Sequence, residues 1–326
     1  MEFREDVPEI LQEWIRNLPT LETLKGKLER LKKMDFSSKS VEQIGETFWE
    51  ETGLVTTTFS SIDLRRLSRL SICRARKNVQ PNEDASSISP FTYLPPNCAK
   101  VNQRGTIIGS SAFFGATDVR TTALEVGCKK GDVVYIGFWK IQCPTLKSTI
   151  EVNHTPLLPV NIPQDNPWYH HAQNVGKHFS DLAIQASVDK SAQIQFLLEF
   201  TADFFSREEP PYPLASWLGD NIFEKNAFSQ FIIYPSYKTD RVSSNIVFRR
   251  SFVDDYFLLD RVYKYRIQSA EEILDWNSVP FEVGVNQSKF RDVHLPDVIK
   301  WRKYTEKVDR KYVANFESQN HKFIKG

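Results

Sequence analysis

Single polar or charged residues placed inside or beside apolar, strand-like runs most constrain how this 326-residue chain can fold. Arg74 and Arg76 lie in the run that follows Leu70, and Ser236 ends the apolar run that begins at Phe231. Burying such a group without a partner costs free energy, so each is either an error for folding or part of a site. We therefore expect these runs to carry the functional site.

Helical and strand-like patterns follow one another irregularly along the chain. Residues 7–53 place apolar residues at helical spacing and predict three helices, with Ser40 and Gln43 forming a capping box and Gly53 a stop. Other predicted elements are strand-prone residues around Phe91 and Tyr93, a strand at 133–139, an irregular segment from 144 to 167, a buried helix at 191–206, and strands at 244–248 and 256–267. This mixed order indicates the α+β class rather than an alternating βαβ sheet.

Composition limits the function classes. The chain is 40% hydrophobic and 25% charged, which is typical of a globular protein, and 42 basic against 41 acidic residues provide no electrostatic drive towards nucleic acid. The basic stretch 298–303 is expected to be a solvated helix face. The apolar runs are far shorter than the roughly 18 residues that cross a membrane, and the charged N-terminus lacks the apolar core of a secretion signal. We expect a cytoplasmic protein with no nucleic-acid or membrane partner.

Cysteine and histidine spacing gives no metal-binding pattern. The four cysteines are Cys73, Cys98, Cys128 and Cys143. They form no C-x-x-C pair and are expected to be buried free thiols of a cytosolic protein. His170, His171 and His178 lack an acidic partner at a fixed helical offset, so we expect them in a loop. Neither a metal nor a bound cofactor is predicted.

Three blocks in this order and approximate spacing resemble the RES domain, a family named for an Arg, a Glu and a Ser. The resemblance covers about residues 65–270. The blocks are Cys73-Arg74; Gln103-Arg104-Gly105-Thr106 with Phe113-Phe114-Gly115 and Thr122-Ala123-Leu124-Glu125; and Ile233-Tyr234-Pro235-Ser236 with Asn245-Ile246-Val247. The chain departs from the family pattern at Cys73, where relatives have an aromatic residue, at Thr106 for Asn, and at Phe114 for Tyr.

This resemblance implies a fold similar to that of ADP-ribosyltransferases, in which a pair of small β-sheets forms a cleft for NAD. The expected organisation has an N-terminal helical region at 1–64 and the RES domain at 65–270. An insertion is expected at about 140–210, and a C-terminal helical extension at 271–326.

The implied activity is cleavage of the nicotinamide–ribose bond of NAD, which is the substrate rather than a cofactor. Positive charge develops on the ribose as this bond breaks, and a carboxylate beneath the ring stabilises it. The resemblance assigns that carboxylate to Glu125. Arg74 and Arg104 would bind the pyrophosphate, since a guanidinium holds phosphate oxygens bidentately. The implied catalytic residues are Glu125, Arg74 and Ser236.

The other implied binding residues are Ser236, Phe114, Tyr234 and Asn245. The Ser236 hydroxyl would donate a hydrogen bond to a phosphate or ribose oxygen, and Phe114 would stack on nicotinamide. A nucleophilic role for Ser236 is not expected, because no Ser-His-Asp spacing accompanies it.

Water or phosphate would accept the ADP-ribose. Family members commonly act as toxins of toxin–antitoxin pairs, neutralised by a small helix-turn-helix antitoxin that blocks the cleft, so the resemblance implies such an antitoxin as a partner. The oligomeric state stays open between a monomer and a homo-oligomer. Two alternatives stay open. One is protein ADP-ribosylation by the same residues; the other is a catalytically inactive interaction module, for which Cys73 and Phe114 are the relevant departures.

Overall fold

The chain folds into helices packed on both faces of one β-sheet. The structure, a computed structural model, describes residues 9–36, 38–52, 60–77, 79, 83–144, 149–185, 190–225, 229–270, 277–287 and 298–325. Within these ranges the helices are α1 (Glu9–Asn17), α2 (Leu21–Lys33), α3 (Val41–Thr52), α4 (Leu64–Leu67), α5 (Val119–Glu125), α6 (Tyr169–Gln185), α7 (Ser191–Arg207), α8 (Pro213–Asp220), α9 (Arg250–Tyr256) and α10 (Lys311–Lys325). The fold is α+β, as the order of patterns predicts.

Ten strands make up the sheet. They are β1 (Ser60–Asp63), β2 (Ser71–Lys77), β3 (Ala112–Ala116), β4 (Val133–Ile141), β5 (Glu151–Pro156), β6 (Phe231–Pro235), β7 (Ser244–Arg249), β8 (Phe257–Ser269), β9 (Asn277–Asn286) and β10 (Ile299–Lys303). Their order is β1-β5-β6-β7-β3-β2-β4-β8-β9-β10. Neighbours are antiparallel except β5 and β6, which are parallel.

We expected two separate sheets, but hydrogen bonds between neighbouring strands join them into one. Its narrowest point is the junction of β2 and β3, which share a single register pair, Cys73 with Ala116. By contrast, β2 pairs with β4 over all residues from Ser71 to Lys77. The sheet thus consists of two five-stranded halves joined at one residue pair.

Side-chain alternation divides the core between the two faces of the sheet. Ile232 and Tyr234 of β6 pack with the N-terminal helices and with α7 and α8, whereas Phe231 and Ile233 pack on the opposite side. Successive residues of a strand point to opposite faces, so one apolar strand serves two cores. This explains why β6 is apolar at every position before its proline.

Most strongly patterned segments form the predicted elements. The three N-terminal helices are confirmed as α1 to α3, and the Ser40 hydroxyl accepts the Gln43 amide at 3.3 Å while Gln43 Oε1 accepts the Ser40 amide at 2.9 Å. The predicted strands at 133–139, 244–248 and 256–267 and the helix at 191–206 are confirmed as β4, β7, β8 and α7. Gly53 lies outside the described residues.

Predictions in segments with weak patterns are wrong. Residues 89–91 form a 3₁₀ turn rather than a strand, since Pro90 has no amide proton for a sheet. The segment from 144 to 167 contains β5, which pairs with β1 and β6. His170, His171 and His178 lie on α6 rather than in a loop.

The C-terminal region is only partly helical. The stretch expected as a solvated helix face is β10, which pairs with β9 along Ile299–Lys303, and β9 pairs with β8. Hydrogen bonding to neighbouring strands outweighs the local helical pattern here. Residues on both sides of the expected boundary at 270 thus belong to the same sheet.

The cysteines differ in exposure. None of the four described cysteines forms a disulfide; Cys73 and Cys128 are buried as expected, but Cys98 is exposed and Cys143 is half-buried. Within the described ranges, no helix combines the length and the apolar character needed to cross a membrane.

Candidate functional site

A cleft of about 630 Å³ lies beside the narrow junction of the sheet. Four neighbouring strands, in the order β6, β7, β3 and β2, contribute lining residues that include Tyr234, Asn245, Phe114 and Arg74. Other lining residues include Gln103, Arg104, Glu125, Arg207, Glu208, Glu209, Tyr212, Tyr237 and Lys238. All the predicted site residues except Ser236 line this cleft.

Glu125 is the last residue of α5 and is exposed at the cleft. Asp118 directly precedes the helix, and its carboxylate accepts the Thr121 amide at 2.7 Å and thereby caps the N-terminus. Oε1 of Glu125 accepts the Ser236 hydroxyl at 2.6 Å and the Asn245 amide nitrogen at 2.7 Å. These two donors hold the carboxylate in one orientation, and neither of these bonds uses Oε2.

Ser236 lies behind Glu125 and is fully buried. The sequence predicted that its hydroxyl would reach a phosphate or ribose oxygen, but in this structure the hydroxyl donates to Glu125. Its backbone is also fixed, because its amide donates to the Ser243 carbonyl at 2.9 Å and its carbonyl accepts the Arg241 amide at 2.8 Å. Ser236 therefore fixes the position of the Glu125 carboxylate from the buried side of the cleft.

Arg74 of β2 spans the junction between the two halves of the sheet. Its Nη1 donates to the Phe114 carbonyl at 2.9 Å and its Nε to the Thr92 carbonyl at 3.0 Å, and the guanidinium lies 5.2 Å from the Phe113 ring centroid. Burial, and secondarily Arg76, lowers the pKa of Arg74 to about 10. Arg74 is consequently still a cation at neutral pH, and its two bonds do not use Nη2.

Arg104 lines the cleft, but its guanidinium is hydrogen-bonded to the helical wall of the cleft, which is formed by the end of α7 and the segment that leads to α8. Nη1 and Nη2 donate to the carbonyls of Phe205 and Glu208, the latter at 3.1 Å, at the end of α7. The guanidinium also lies 5.2 Å from the Tyr212 ring centroid and 5.9 Å from that of Tyr234. Arg104 thus joins the helical wall to the sheet.

The turn that carries Arg104 is held against α8 by close backbone contact. The Gly105 amide donates to the Ala215 carbonyl at 3.2 Å. A Cβ atom at Gly219 would lie 2.2 Å from the Gly105 backbone, so only glycine fits there, and Gly105 itself has φ +88°. The close contact between Gly105 and Gly219 places Arg104 between α7 and the sheet.

Glu208 stabilises the same wall. Its two carboxylate oxygens accept the amides of Leu214 and Ala215 at 3.0 and 2.7 Å, at the N-terminus of α8. Burial raises the pKa of Glu208 above its ordinary range, and these two amide bonds oppose that shift.

Aromatic rings complete the lining. Tyr234 is buried, which raises its pKa, and the half-buried Phe114 also lines the cleft. Burial, together with a 2.7 Å bond from the Tyr237 hydroxyl to Asp203, raises the pKa of Tyr237 to about 12. Such rings can stack on planar groups of a ligand.

Lining residues that were not predicted from the sequence include Arg207, Glu208, Tyr212, Tyr237 and Lys238. The first three come from the end of α7 and the segment that follows, within and just beyond the expected insertion, and no motif marks them. Tyr237 and Lys238 directly follow Ser236, and this adjacency is the only sequence signal for them.

The arrangement can stabilise positive charge and bind anionic, planar groups. The Glu125 carboxylate is preoriented, the guanidiniums of Arg74 and Arg104 are cationic, and the rings offer stacking surfaces. Among the described residues, no group of three or more His, Cys, Asp or Glu side chains could hold a metal ion. Comparisons of the chain with protein-family models, curated proteins and solved structures find no match.

Proposed function

We propose that this protein cleaves the nicotinamide–ribose bond of NAD and transfers ADP-ribose to water or phosphate. The observation that carries the proposal is the Glu125 carboxylate, held by Ser236 and Asn245 at 2.6 and 2.7 Å, in the same cleft as Arg74. These residues belong to three separate blocks of the sequence. Their convergence supports the activity that the RES resemblance implies.

In this reaction the bond between ribose C1′ and the nicotinamide nitrogen breaks, and its electron pair neutralises the pyridinium ring. Positive charge remains on the ribose, where the Glu125 carboxylate stabilises it. Water or phosphate then adds to C1′, and attack by water releases one proton to solvent. Phe114 or a neighbouring tyrosine offers a surface on which nicotinamide can stack.

We further propose that the two five-stranded halves correspond to the two sheets of an ADP-ribosyltransferase-like fold. The single residue pair that joins β2 to β3, and the cleft beside it, support this correspondence. In this proposal the protein acts in the cytoplasm as a toxin or defence effector. A helix-turn-helix antitoxin that covers the cleft would inhibit it.

The test is product analysis by chromatography after incubation of the purified chain with NAD, with and without phosphate. We expect nicotinamide with ADP-ribose, or with phosphorylated ADP-ribose when phosphate is the acceptor. A blot for ADP-ribosylated protein separates these reactions from protein modification. Unchanged NAD, with protein shown to be folded by circular dichroism, would contradict the proposal and favour an inactive interaction module.

A further inference from the structure

The two arginines expected to bind pyrophosphate both donate to main-chain carbonyls in the walls of the cleft. Arg74 donates to the carbonyls of Thr92 and Phe114, and Arg104 to those at the end of α7. A guanidinium oriented by two such bonds has lost part of its freedom to follow a ligand. Other cations in the cleft are therefore candidates for the phosphates.

Lys238 and Arg207 line the same cleft. The Lys238 side chain is exposed, and its ammonium makes no ion pair or hydrogen bond with the residues that the structure describes. Arg207 is 61% exposed, its closest carboxylate contact is 3.5 Å long, to Asp203, and it lies 5.0 Å from the Tyr237 ring centroid. Both cations can turn towards a ligand at little cost, because their present contacts are weak.

The backbone of Lys238 is fixed relative to Glu125. Lys238 lies on a short 3₁₀ turn, Tyr237–Thr239, directly after Ser236. The Ser236 carbonyl accepts the Thr239 amide at 3.3 Å and the Thr239 hydroxyl at 3.1 Å, while the Ser236 hydroxyl donates to Glu125. The buried Ser236 thus fixes both the orientation of the Glu125 carboxylate and the position of the turn that carries the Lys238 ammonium.

We propose that Lys238, with Arg207 as a second cation, binds the pyrophosphate of the dinucleotide, and that Arg104 is a positioning residue for the wall. The identity of the ligand rests on the proposed function. An ammonium on a flexible stem is a mobile point charge that can meet either phosphate, whereas Arg104 holds α7 in place. The pyrophosphate is bound in both the ground and transition states, so Lys238 contributes to affinity more than to the chemical step.

The experiment uses calorimetric titration of the full chain with ADP-ribose, which contains the pyrophosphate but lacks the nicotinamide–ribose bond. Lys238→Ala should raise the Kd about tenfold, as loss of one charge contact does. Lys238→Arg should restore most of the affinity. Lys100→Ala removes an exposed lysine that does not line the cleft, and it should bind as the wild type does.

Kinetics give a second readout. With NAD as substrate, Lys238→Ala should raise KM about tenfold while kcat changes by less than about twofold, the result expected when uniform binding is removed. Adding Arg207→Ala should raise KM further. The affinity difference between wild type and Lys238→Ala should shrink as salt is increased, because exposed charges are screened.

Equal Kd values for wild type and Lys238→Ala would overturn the inference, as would the absence of any ADP-ribose binding. A large loss of affinity in Arg104→Ala at an unchanged melting temperature would also overturn it, since Arg104 would then be a ligand. If NAD is not consumed but ADP-ribose binding still depends on Lys238, the proposed reaction fails and the phosphate site stands. If NAD is consumed and Lys238 has no effect, only the phosphate site fails.

Discussion

Among single residues, Glu125 bears most directly on the proposed chemistry. Because its two hydrogen-bond donors can also bind an amide oxygen, its charge can be removed while these bonds are kept. Glu125→Gln keeps an oxygen that can accept from Ser236 and Asn245 but removes the negative charge. We expect kcat to fall about 10²–10³-fold, the loss seen when one electrostatic stabiliser of a transition state is removed. Chromatographic rates of nicotinamide release measure this loss.

The matched control is Glu209→Gln, which changes another exposed glutamate that lines the cleft. It should leave kcat close to that of the wild type. Near-wild-type turnover by Glu125→Gln would contradict the role of Glu125, and equal losses in both variants would indicate a general effect of charge in the cleft.

A substitution at Ser236 distinguishes two roles that the sequence does not: orientation of Glu125 and direct contact with the ligand. If it only orients Glu125, Ser236→Ala should lower kcat about tenfold, since one hydrogen bond of about 1.4 kcal/mol is lost. The Kd for ADP-ribose should then stay close to the wild-type value. A raised Kd with unchanged kcat would instead support direct contact with a phosphate or ribose oxygen.

At the scale of elements, α7 packs on the sheet through Phe205 and Tyr234, and Arg104 adds hydrogen bonds to the end of the helix. Arg104 donates to the carbonyls of Phe205 and Glu208, and carbonyls at a helix C-terminus otherwise lack intrahelical partners. Arg104→Ala should therefore lower the free energy of unfolding by about 1–3 kcal/mol. Urea unfolding followed by circular dichroism measures the change.

Arg310→Ala is the control for this stability loss. Arg310 is 78% exposed and pairs with Glu306 within one short helical segment. Its removal should change the free energy of unfolding by less than about 1 kcal/mol. If both variants unfold at the same urea concentration, Arg104 does not hold the wall.

Elements with strong local patterns could be predicted from the sequence, whereas those that depend on distant partners could not. The β-branched and aromatic run of β4 specifies a strand by itself, but the basic stretch of β10 forms a strand only because β9 lies beside it. The site follows the same division. Glu125 and Asn245 lie in blocks that the sequence identified. Lys238 lines the cleft only because the turn after Ser236 places it there.

For the whole molecule, stability should depend on two buried histidines. His154 of β5 stacks on Phe231 at 4.7 Å and on His171 of α6 at 5.3 Å between ring centroids. Burial, and secondarily His171, lowers the pKa of His154 from 6.5 to about 3; burial, and secondarily Arg66, lowers that of His171 to about 4. Both rings are therefore neutral in the folded protein near neutral pH.

The unfolded chain takes up protons on these rings as the pH falls below about 6.5, but the folded protein does not. The unfolded state then binds more protons, so stability should fall from pH 6.5 towards 4. Each histidine contributes up to about 1.4 kcal/mol per pH unit, or about 2 kcal/mol at pH 5. Urea midpoints at pH 7 and pH 5 measure this loss.

His154→Phe should flatten that dependence, because phenylalanine keeps an aromatic ring on Phe231 and cannot be protonated. His170→Gln, at an exposed position of α6, should leave the dependence unchanged. Burial raises the pKa of Glu208 and Glu317, which acts in the opposite sense, and the comparison between variants cancels this contribution. Equal slopes for His154→Phe and wild type would contradict the prediction.

The cleft takes its lining from four adjacent strands that are far apart in the chain, from Arg74 on β2 to Asn245 on β7. During synthesis, β6 and β7 leave the ribosome long after β2 and β3, so Glu125 lacks Ser236 until β6 has emerged and Asn245 until β7 has emerged. A nascent chain that ends before residue 236 therefore has neither donor to orient the Glu125 carboxylate. Under the proposed function, a chain truncated before that point would lack the oriented carboxylate and would therefore leave NAD uncleaved.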